Sequence, residues 1–499
     1  MTKQLSLKKR ALSMDEVFFT KEHFESLPTV RIKQIEISNF KSVKYGKILF
    51  DCGKHYVPYG TKSDILGIYG QNGSGKTTLI DVLYILKCLM AGTRIPDEYS
   101  ECISVGEEFA SFVVSFDLQY PSGEIRTLDY SCSLNKVKVS DEELGENFRR
   151  VTFNLDNTED VYRVNVISEK FSLSGKDLNN NVTMIKQVFI DTANKKAPFG
   201  PASKLEEFIG TDEEKILKLA INKKLTQEKS KSFIFDKETL QIFKNSGRYS
   251  PYYQVLLEMN WFALHYFYVI GTRSAGIIRL NFELPIYTRH GMLRFGINEQ
   301  QIISTEDFEL FDTDFNNINK VLSQLVPSLS IGLKKLSNTL TREGDPAFSV
   351  MPVATRNGVE IPLSYESDGV RRIISLLTLI IAAYNDQSCT LAIDEFDAGI
   401  FEYLLGEILQ VFEESGKGQF IFTSHNLRPL EVIDKKFIVF TTTNPNNRYY
   451  RLKNISTTSN LRDTYFREII LGEQEEELYK RTKSFKIESA MKEVGRGEM

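Results

Sequence analysis

The chain has 499 residues, 41% of them hydrophobic and 26% charged, which is more than one hydrophobic core usually organises, so two or three domains or one domain with large insertions are expected. A formal net charge of -4 excludes a global attraction to nucleic acid or to an anionic membrane and leaves only local basic surface. Cys52, Cys88, Cys102, Cys132 and Cys389 lie far apart with no CxxC pair, which argues against a disulfide framework or a zinc site and for reduced thiols in the cytoplasm.

Residues 1–29 carry the basic stretch LKKR with no continuous apolar segment behind it, so they read as an N-terminal arm rather than a secretory signal. A first lobe is expected over 30–200. It opens with VRIKQIEISNFKSV, where Ile32, Ile35 and Ile37 alternate with charged positions in the pattern of a half-buried strand. LGIYGQNGSGKTTLIDVLYIL, residues 66–86, then runs from a strand through a glycine-rich turn into an apolar helix. Gly70, Gly73, Gly75, Lys76 and Thr77 satisfy G-x-x-x-x-G-K-S/T in that strand-to-helix context, with Asn72 and Ser74 inside the loop and Thr78 just beyond it. Such glycines let the backbone approach a phosphate and turn its N–H groups inward. The helix start adds positive potential, the lysine reaches the β- and γ-phosphates, and the threonine hydroxyl reaches magnesium.

Between about 110 and 190 the runs FVVSFDL, IRTLDYSCSL, VTFNL and YRVNVI are separated by turn chemistry such as PSG and DNTED, the pattern of an antiparallel meander appended to the first lobe. Residues 201–345 read as a mixed, mainly helical insertion: KLEEFIGTDEEKILKLAINKKL and DFNNINKVLSQLV show helical spacing, and YYQVLLEMNWFALHYFYVI is apolar nearly all round. A second α/β lobe is expected over 346–455, where TLAID, QFIFTSH and KFIVF alternate with helical runs as in a parallel sheet. Residues 456–499 form a charged tail of one or two helices. The most apolar late stretch, IISLLTLIIAAY at 373–384, is far short of the ~20 residues that cross a bilayer, so no membrane partner is expected.

TLAIDEFD ends an apolar strand in Asp394 and Glu395, acids that would be costly there unless solvated or used. Asp394 suits magnesium, and Glu395 sits where a carboxylate polarises an attacking water. Lys76 and Asp394 are 318 positions apart, so one site would be assembled from two distant lobes. LSYESDGVRRII places Ser367 and Gly369 at the start of an apolar helix, a second N-terminus suited to an anion or simply a helix cap. FIFTSHN places His425 at the end of the next strand, within reach of a γ-phosphate. Lysines cluster in EKILKLAINKKLTQEKSKSF, but interleaved acids favour a solvated helical face over a DNA groove.

The series NFKSV, GQNGSGKTT, SDGVRR, LAIDEFD and TSHN resembles the ABC-type ATPase heads of structural-maintenance-of-chromosomes, RecF and related DNA-repair proteins. It resembles more closely the stand-alone ABC-type AAA family ATPases of bacterial anti-phage systems such as PARIS, Septu and some retron systems. The motif-bearing match covers 30–95 and 350–445. The resemblance implies an α/β P-loop NTPase of ABC-ATPase type, a two-lobed head with a β meander and an inserted helical subdomain, using ATP and Mg²⁺. It further implies that Ser367 and Gly369 complete the site of an opposite subunit, that His425 is a switch histidine, that Asp397 is a loop acid crossing the dimer interface, and that Asn39 to Lys41 lie near the nucleotide. The family signature is LSGGQ, and here Tyr365, Glu366 and Asp368 depart from it. For the family's Q-loop glutamine, Gln119 and Gln187 both remain in range.

The function expected on these grounds is a slow, cytoplasmic ATPase that forms a homodimer or higher homo-oligomer through its heads. It would act as the nucleotide-driven sensor of an anti-phage complex with a separate effector such as a nuclease, DNA being a possible further partner. The alternatives are an SMC/RecF-like repair ATPase and a scaffold that binds ATP without hydrolysing it. A built-in nuclease domain is not expected, since the one dense run of acids after His425 is GEQEEELYK, which reads as a solvated helix face rather than a metal cluster.

Overall fold

In the computed structural model, which describes residues 26–50, 63–139, 161–177, 182–194, 197–246, 250–272, 283–288, 291–296, 300–342, 344–453, 460–472 and 474–496, the alternation that starts at Val30 becomes strand β1 (Thr29–Phe40). It turns back into β2 (Val43–Leu49). β3 (Asp64–Tyr69) then feeds the glycine loop and helix α1 (Lys76–Met90). Every residue of α1 except Thr77 is buried, as expected of a helix that is apolar all round and covered on both sides.

β4 (Ala110–Gln119), β5 (Glu124–Lys138), β6 (Tyr162–Asp177) and β7 (Val182–Asp191) pair antiparallel in sequence order. They are not an appendage. β1 pairs with β4, so all belong to one six-stranded sheet of order β2-β1-β4-β5-β6-β7, and the pairing leaves β4 no open edge to protect. The expected strand VTFNL and nearly all of the 1–29 arm, with its KKR cluster, lie outside the described residues.

Four helices follow: α2 (Ala202–Ile209), α3 (Glu213–Glu228), α4 (Lys237–Lys244) and α5 (Pro251–His265). The apolar run YYQVLLEMNWFALHYFYVI, read as one helical stretch, divides in two. Its first part is α5, and Phe267–Ile270 become strand β8, because aromatic and β-branched residues suit a pleated surface and find a parallel partner there. The hairpin β9 (Glu283–Thr288) and β10 (Gly291–Gly296) precedes β11 (Gln301–Ser304) and α6 (Thr305–Leu325). Ser304 caps α6 by accepting from the Asp307 N–H at 3.0 Å. Phe308, Phe311, Phe315, Ile318 and Leu322 form its buried stripe. α6 packs on a sheet made by β11 with β12 (Leu329–Leu340), β13 (Pro346–Arg356) and β14 (Val359–Pro362).

The remaining elements are α7 (Asp368–Asn385), β15 (Thr390–Ile393), α8 (Glu402–Ser415), β16 (Gln419–Thr423), α9 (Pro429–Val432), β17 (Ile438–Thr441), β18 (Tyr449–Tyr450), α10 (Leu461–Leu471) and α11 (Ser484–Arg496). They complete a second six-stranded sheet of order β18-β17-β3-β16-β15-β8, parallel except at β17–β18. Its strands are near-continuous apolar runs because both faces are covered. Leu66, Ile68, Val269, Ala392 and Ile421 face a core shared with α1 and the meander sheet. Ile65, Tyr69, Tyr268, Ile270, Leu391, Ile393, Phe420 and Phe422 face a core shared with α6, α7 and α8. The two-residue period of the strands thus divides the molecule into its two cores. The Gln419 amide joins the sheets, accepting from the Ile32 N–H at 3.1 Å and donating to the Ile32 C=O at 2.8 Å. Cys88, Cys102, Cys132 and Cys389 are buried and form no disulfide among the described residues. No helix among the described residues is long and apolar enough to cross a membrane.

Glu169 on β6 anchors the helical stretch to the meander. It is 1% exposed and accepts from Tyr130 Oη at 2.8 Å, Ser232 Oγ at 2.6 Å and the Phe233 N–H at 2.8 Å. Burial raises its pKa and these donors oppose the rise. Glu169→Ala leaves all three donors unpaired in the core, so the expected loss is about 3 kcal/mol, read as a drop in the denaturant midpoint.

Candidate functional site

The parallel sheet delivers the carboxyl ends of β3, β16, β15 and β8 to one edge, the edge at which open α/β sheets form ligand crevices. A cavity of about 530 Å³ opens there, lined by Lys41, Ser42, Asn72, Gly73, Gly75, Lys76, Thr77, Thr78, Asp394, Glu395, Thr423 and His425. Residues from the beginning, the first quarter and the last quarter of the chain therefore share one wall.

The loop after β3 depends on its glycines. Gly70 has φ 152°, and a Cβ there would lie 1.7 Å from Thr441 Oγ1, so β3 can pass the end of β17 only without a side chain. Gly73 and Gly75 have φ 75° and 96°, the left-handed region that other residues rarely enter. Gly75 is the N-cap of α1 and supplies no side-chain cap, which leaves the first N–H groups of the helix for an anion. Ser74 lies beneath the loop, bonded through its hydroxyl to the Gln71 C=O at 2.5 Å and to Thr441.

Lys76 is 6% exposed, and its Nζ donates to the carbonyls of Gly70 and Gln71 at 2.8 and 3.1 Å. Burial pulls its pKa down to about 8, against the opposing pull of Asp394, Glu395 and Asp397. A buried cation lining the cavity beside the uncapped start of α1 fits a phosphate. Asp394 is 1% exposed and accepts from Thr423 Oγ1 at 2.6 Å, Thr272 Oγ1 at 2.9 Å and Thr77 Oγ1 at 3.4 Å. Among the described residues no group of three His, Cys, Asp or Glu side chains is placed to hold a metal ion. Asp394 and Thr77 are oxygen donors of the kind that could hold a magnesium ion.

Glu395 follows in the left-handed region at φ 48°, which turns its side chain from the strand toward the cavity. Its N–H donates to Thr423 Oγ1 at 2.8 Å, and its C=O accepts from Arg372 Nη2 at 2.6 Å. His425 is exposed at the rim. Asp397 does not line the cavity; it accepts from the backbone N–H groups of His425 and Asn426 at 3.2 and 3.0 Å. Lys41 lies at the cavity wall with its Nζ paired to the buried Asp81 of α1. Beside it, Ser42 Oγ donates to the Gly73 C=O at 2.9 Å.

Ser367 and Gly369 are not brought to the cavity of their own chain. Ser367 is exposed and caps α7 by accepting from the Val370 N–H at 3.3 Å. Gly369 rests on the turn after Glu395, where a Cβ would stand 2.6 Å from the Gly399 carbonyl oxygen. Of the two candidate Q-loop glutamines, Gln119 ends β4 and Gln187 accepts from Tyr252 Oη at 2.9 Å; neither lines the cavity.

Several residues at the site escaped the sequence reading. Thr272 and Thr423 supply hydroxyls to Asp394. The available signal was positional, since each follows or ends a short apolar strand, as Asp394 does. Arg448 donates to the carbonyls of Thr442 and Ser42, and Tyr449 Oη donates to the Gly75 C=O at 2.9 Å. Nothing in their local sequence marks them.

Fold and site together define a P-loop nucleotide-binding protein of the α/β class. Residues 34–325, more than half of the chain, match the family model described as AAA domain, and the chain belongs to that family. Residues 279–431 match a model described as AAA domain, putative AbiEii toxin, Type IV TA system. A search of curated proteins finds no significant match. Solved structures similar to it include the Smc head domain with a coiled coil and joint from Pyrococcus yayanosii, at 11% identity and TM-score 0.40, covering 88% of this chain and 99% of that one. The SMC head domain from Thermotoga maritima matches at 12% identity and TM-score 0.31, covering 85% and 100%. The recombination mediator protein RecF with ATP matches at 13% identity and TM-score 0.30, covering 80% and 94%.

Thr423→Val removes a hydroxyl that donates to Asp394 and accepts from Glu395. With both left short of a partner in a buried place, stability should fall by about 1–3 kcal/mol, read as a lower unfolding midpoint with the sheet content intact.

Proposed function

We propose that the chain binds ATP with magnesium in this cavity and hydrolyses it slowly, and that two copies close head to head in the cytoplasm as a nucleotide-driven switch. The observation that carries this reading is the meeting of Lys76, Thr77, Asp394 and Glu395, drawn from opposite ends of the sequence, at the carboxyl edge of one parallel sheet. In this reading the loop from Gly70 to Thr78 holds the triphosphate, Thr77 and Asp394 hold magnesium, Glu395 polarises the attacking water, and His425 contacts the γ-phosphate. Ser367 and Gly369 do not line the cavity of their own chain and Ser367 is exposed, which supports their completing the site of a second copy. Asp397 then shapes the loop at that junction, and Lys41 borders the nucleotide.

The bound state would be passed on through the parts of the chain that touch the site. Thr272, from the 201–345 stretch, holds Asp394, and in the tail Lys480 pairs through its backbone N–H and C=O with the Gln71 side chain of the loop at 3.1 and 3.5 Å. A separate effector contacting either segment would sense whether ATP is bound. The toxin–antitoxin wording of the family model over 279–431 and the motif resemblance to anti-phage ATPases both support such a conditional, two-component system.

Lys76→Ala should abolish ATP binding, whereas Glu395→Gln should bind ATP normally and turn over at least about 100-fold more slowly. Phosphate release together with equilibrium ATP binding measures both, and an unimpaired Glu395→Gln variant removes that residue from its role. Light scattering of Glu395→Gln should show the mass doubling with ATP and magnesium. Affinity should also depend on pH. Lys76 has a pKa of about 8 when its phosphate partner is absent, and a phosphate raises it. Binding is therefore strongest below that value and weakens as pH rises through it, by up to about tenfold per pH unit.

A further inference from the structure

Arg372 lies on α7, three residues beyond Gly369. Its Nη2 donates to the Glu395 C=O at 2.6 Å and to the Asp394 C=O at 3.3 Å. Glu395 occupies the left-handed region at φ 48°, a conformation that costs a non-glycine residue about 1 kcal/mol or more unless its surroundings enforce it. Three groups enforce it here: Thr423 Oγ1 accepts from the Glu395 N–H, and the Glu395 C=O accepts from the Arg372 guanidinium at 2.6 Å and from the Ala398 N–H at 3.0 Å. One turn earlier on the helix, Gly369 meets Gly399 backbone to backbone, so closely that a Cβ would stand 2.6 Å from the Gly399 carbonyl oxygen. The start of α7 and the 394–399 turn are therefore clamped at two points, and packed elements of this kind shift together rather than deform. Burial lowers the Arg372 pKa against the pull of Glu395, Asp397 and Asp394, yet a guanidinium keeps its charge under such a load.

We propose that Arg372 is a positioning residue: it ties the start of α7, exposed at Ser367 and Asp368, to the backbone of Glu395, so that whatever engages that helix start sets the aim of the carboxylate in the same chain's cavity. The inference rests on Glu395 being the group that polarises the attacking water. Arg372 does not line the cavity and acts in this proposal through the backbone of residues 394 and 395, chiefly the Glu395 carbonyl.

The test measures ATP affinity, kcat and melting temperature of the full chain for wild type, Arg372→Ala, Arg372→Lys, Glu395→Gln and the Arg372→Ala/Glu395→Gln double variant. Arg372→Ala should hold ATP within about twofold of wild type and lose at least about tenfold in kcat. Arg372→Lys keeps the charge with a shorter, single-headed donor and should lose nearly as much. The double variant should be no slower than Glu395→Gln alone, since the two losses act through one group. Additive losses would mark a separate structural role and overturn the proposal, as would wild-type kcat in a folded Arg372→Ala or Arg372→Lys protein. Failure of both single variants to fold would assign Arg372 to stability and overturn it too. If the wild-type chain shows no turnover, or Glu395→Gln loses none, the parent reading of the site falls and takes this one with it.

Discussion

The structure depends on burying one carboxylate. Asp394 stands at 1% exposure at the end of a four-residue apolar strand, and an acid in that place is tolerated only with donors around it. The donors are hydroxyls from Thr77 at the start of α1, Thr272 after β8 and Thr423 at the end of β16. Those segments are 122 to 317 positions from Asp394 in two of the three cases. Satisfying the carboxylate thus sets the stagger of the strands that bring the threonines in, and the same arrangement places Lys76 and Glu395 on one cavity. Stability and chemistry share a single set of hydrogen bonds.

A second constraint is the thinness of the glycine loop. Gly70 leaves room for Thr441, and at Gly75 a Cβ would come within 2.8 Å of Val43 Cγ2. The loop is therefore wedged between the N-terminal strands and the β17–β18 hairpin, with Arg448 and Tyr449 bonded across the gap. Because both termini of the fold close on the same loop, its shape is shared by parts of the chain that have no contact in sequence. This is the physical sense in which the site is composite within one chain.

Legibility differed by element for identifiable reasons. The glycine loop and α1 were readable because glycine, lysine and threonine at fixed spacing have few other uses in a strand-to-helix turn. The meander was readable from alternation and turn residues, but not its continuity with β1, since strand pairing is a non-local choice that alternation does not encode. β8 was hidden in an apolar run where FYVI continues straight from α5, and periodicity cannot separate a buried strand from a buried helix at that length. Arg372 was visible in SDGVRRII but carried no role, because a guanidinium bonding to backbone carbonyls leaves no trace in the identity of its partner.

By itself the sequence determined the local chemistry: a phosphate loop whose conformation demands glycine at Gly70, Gly73 and Gly75, an apolar strand that terminates in two acids, and apolar runs long enough for a doubly covered parallel sheet. Those are consequences of backbone sterics and of the cost of burying charge, and both act over a few residues. Only the tertiary structure decided which threonines satisfy Asp394, that β8 stands beside β15, and that Ser367 stays outside the cavity while Arg372 reaches Glu395. Such choices are made by strand order and helix packing, where free energy is minimised over contacts hundreds of residues apart.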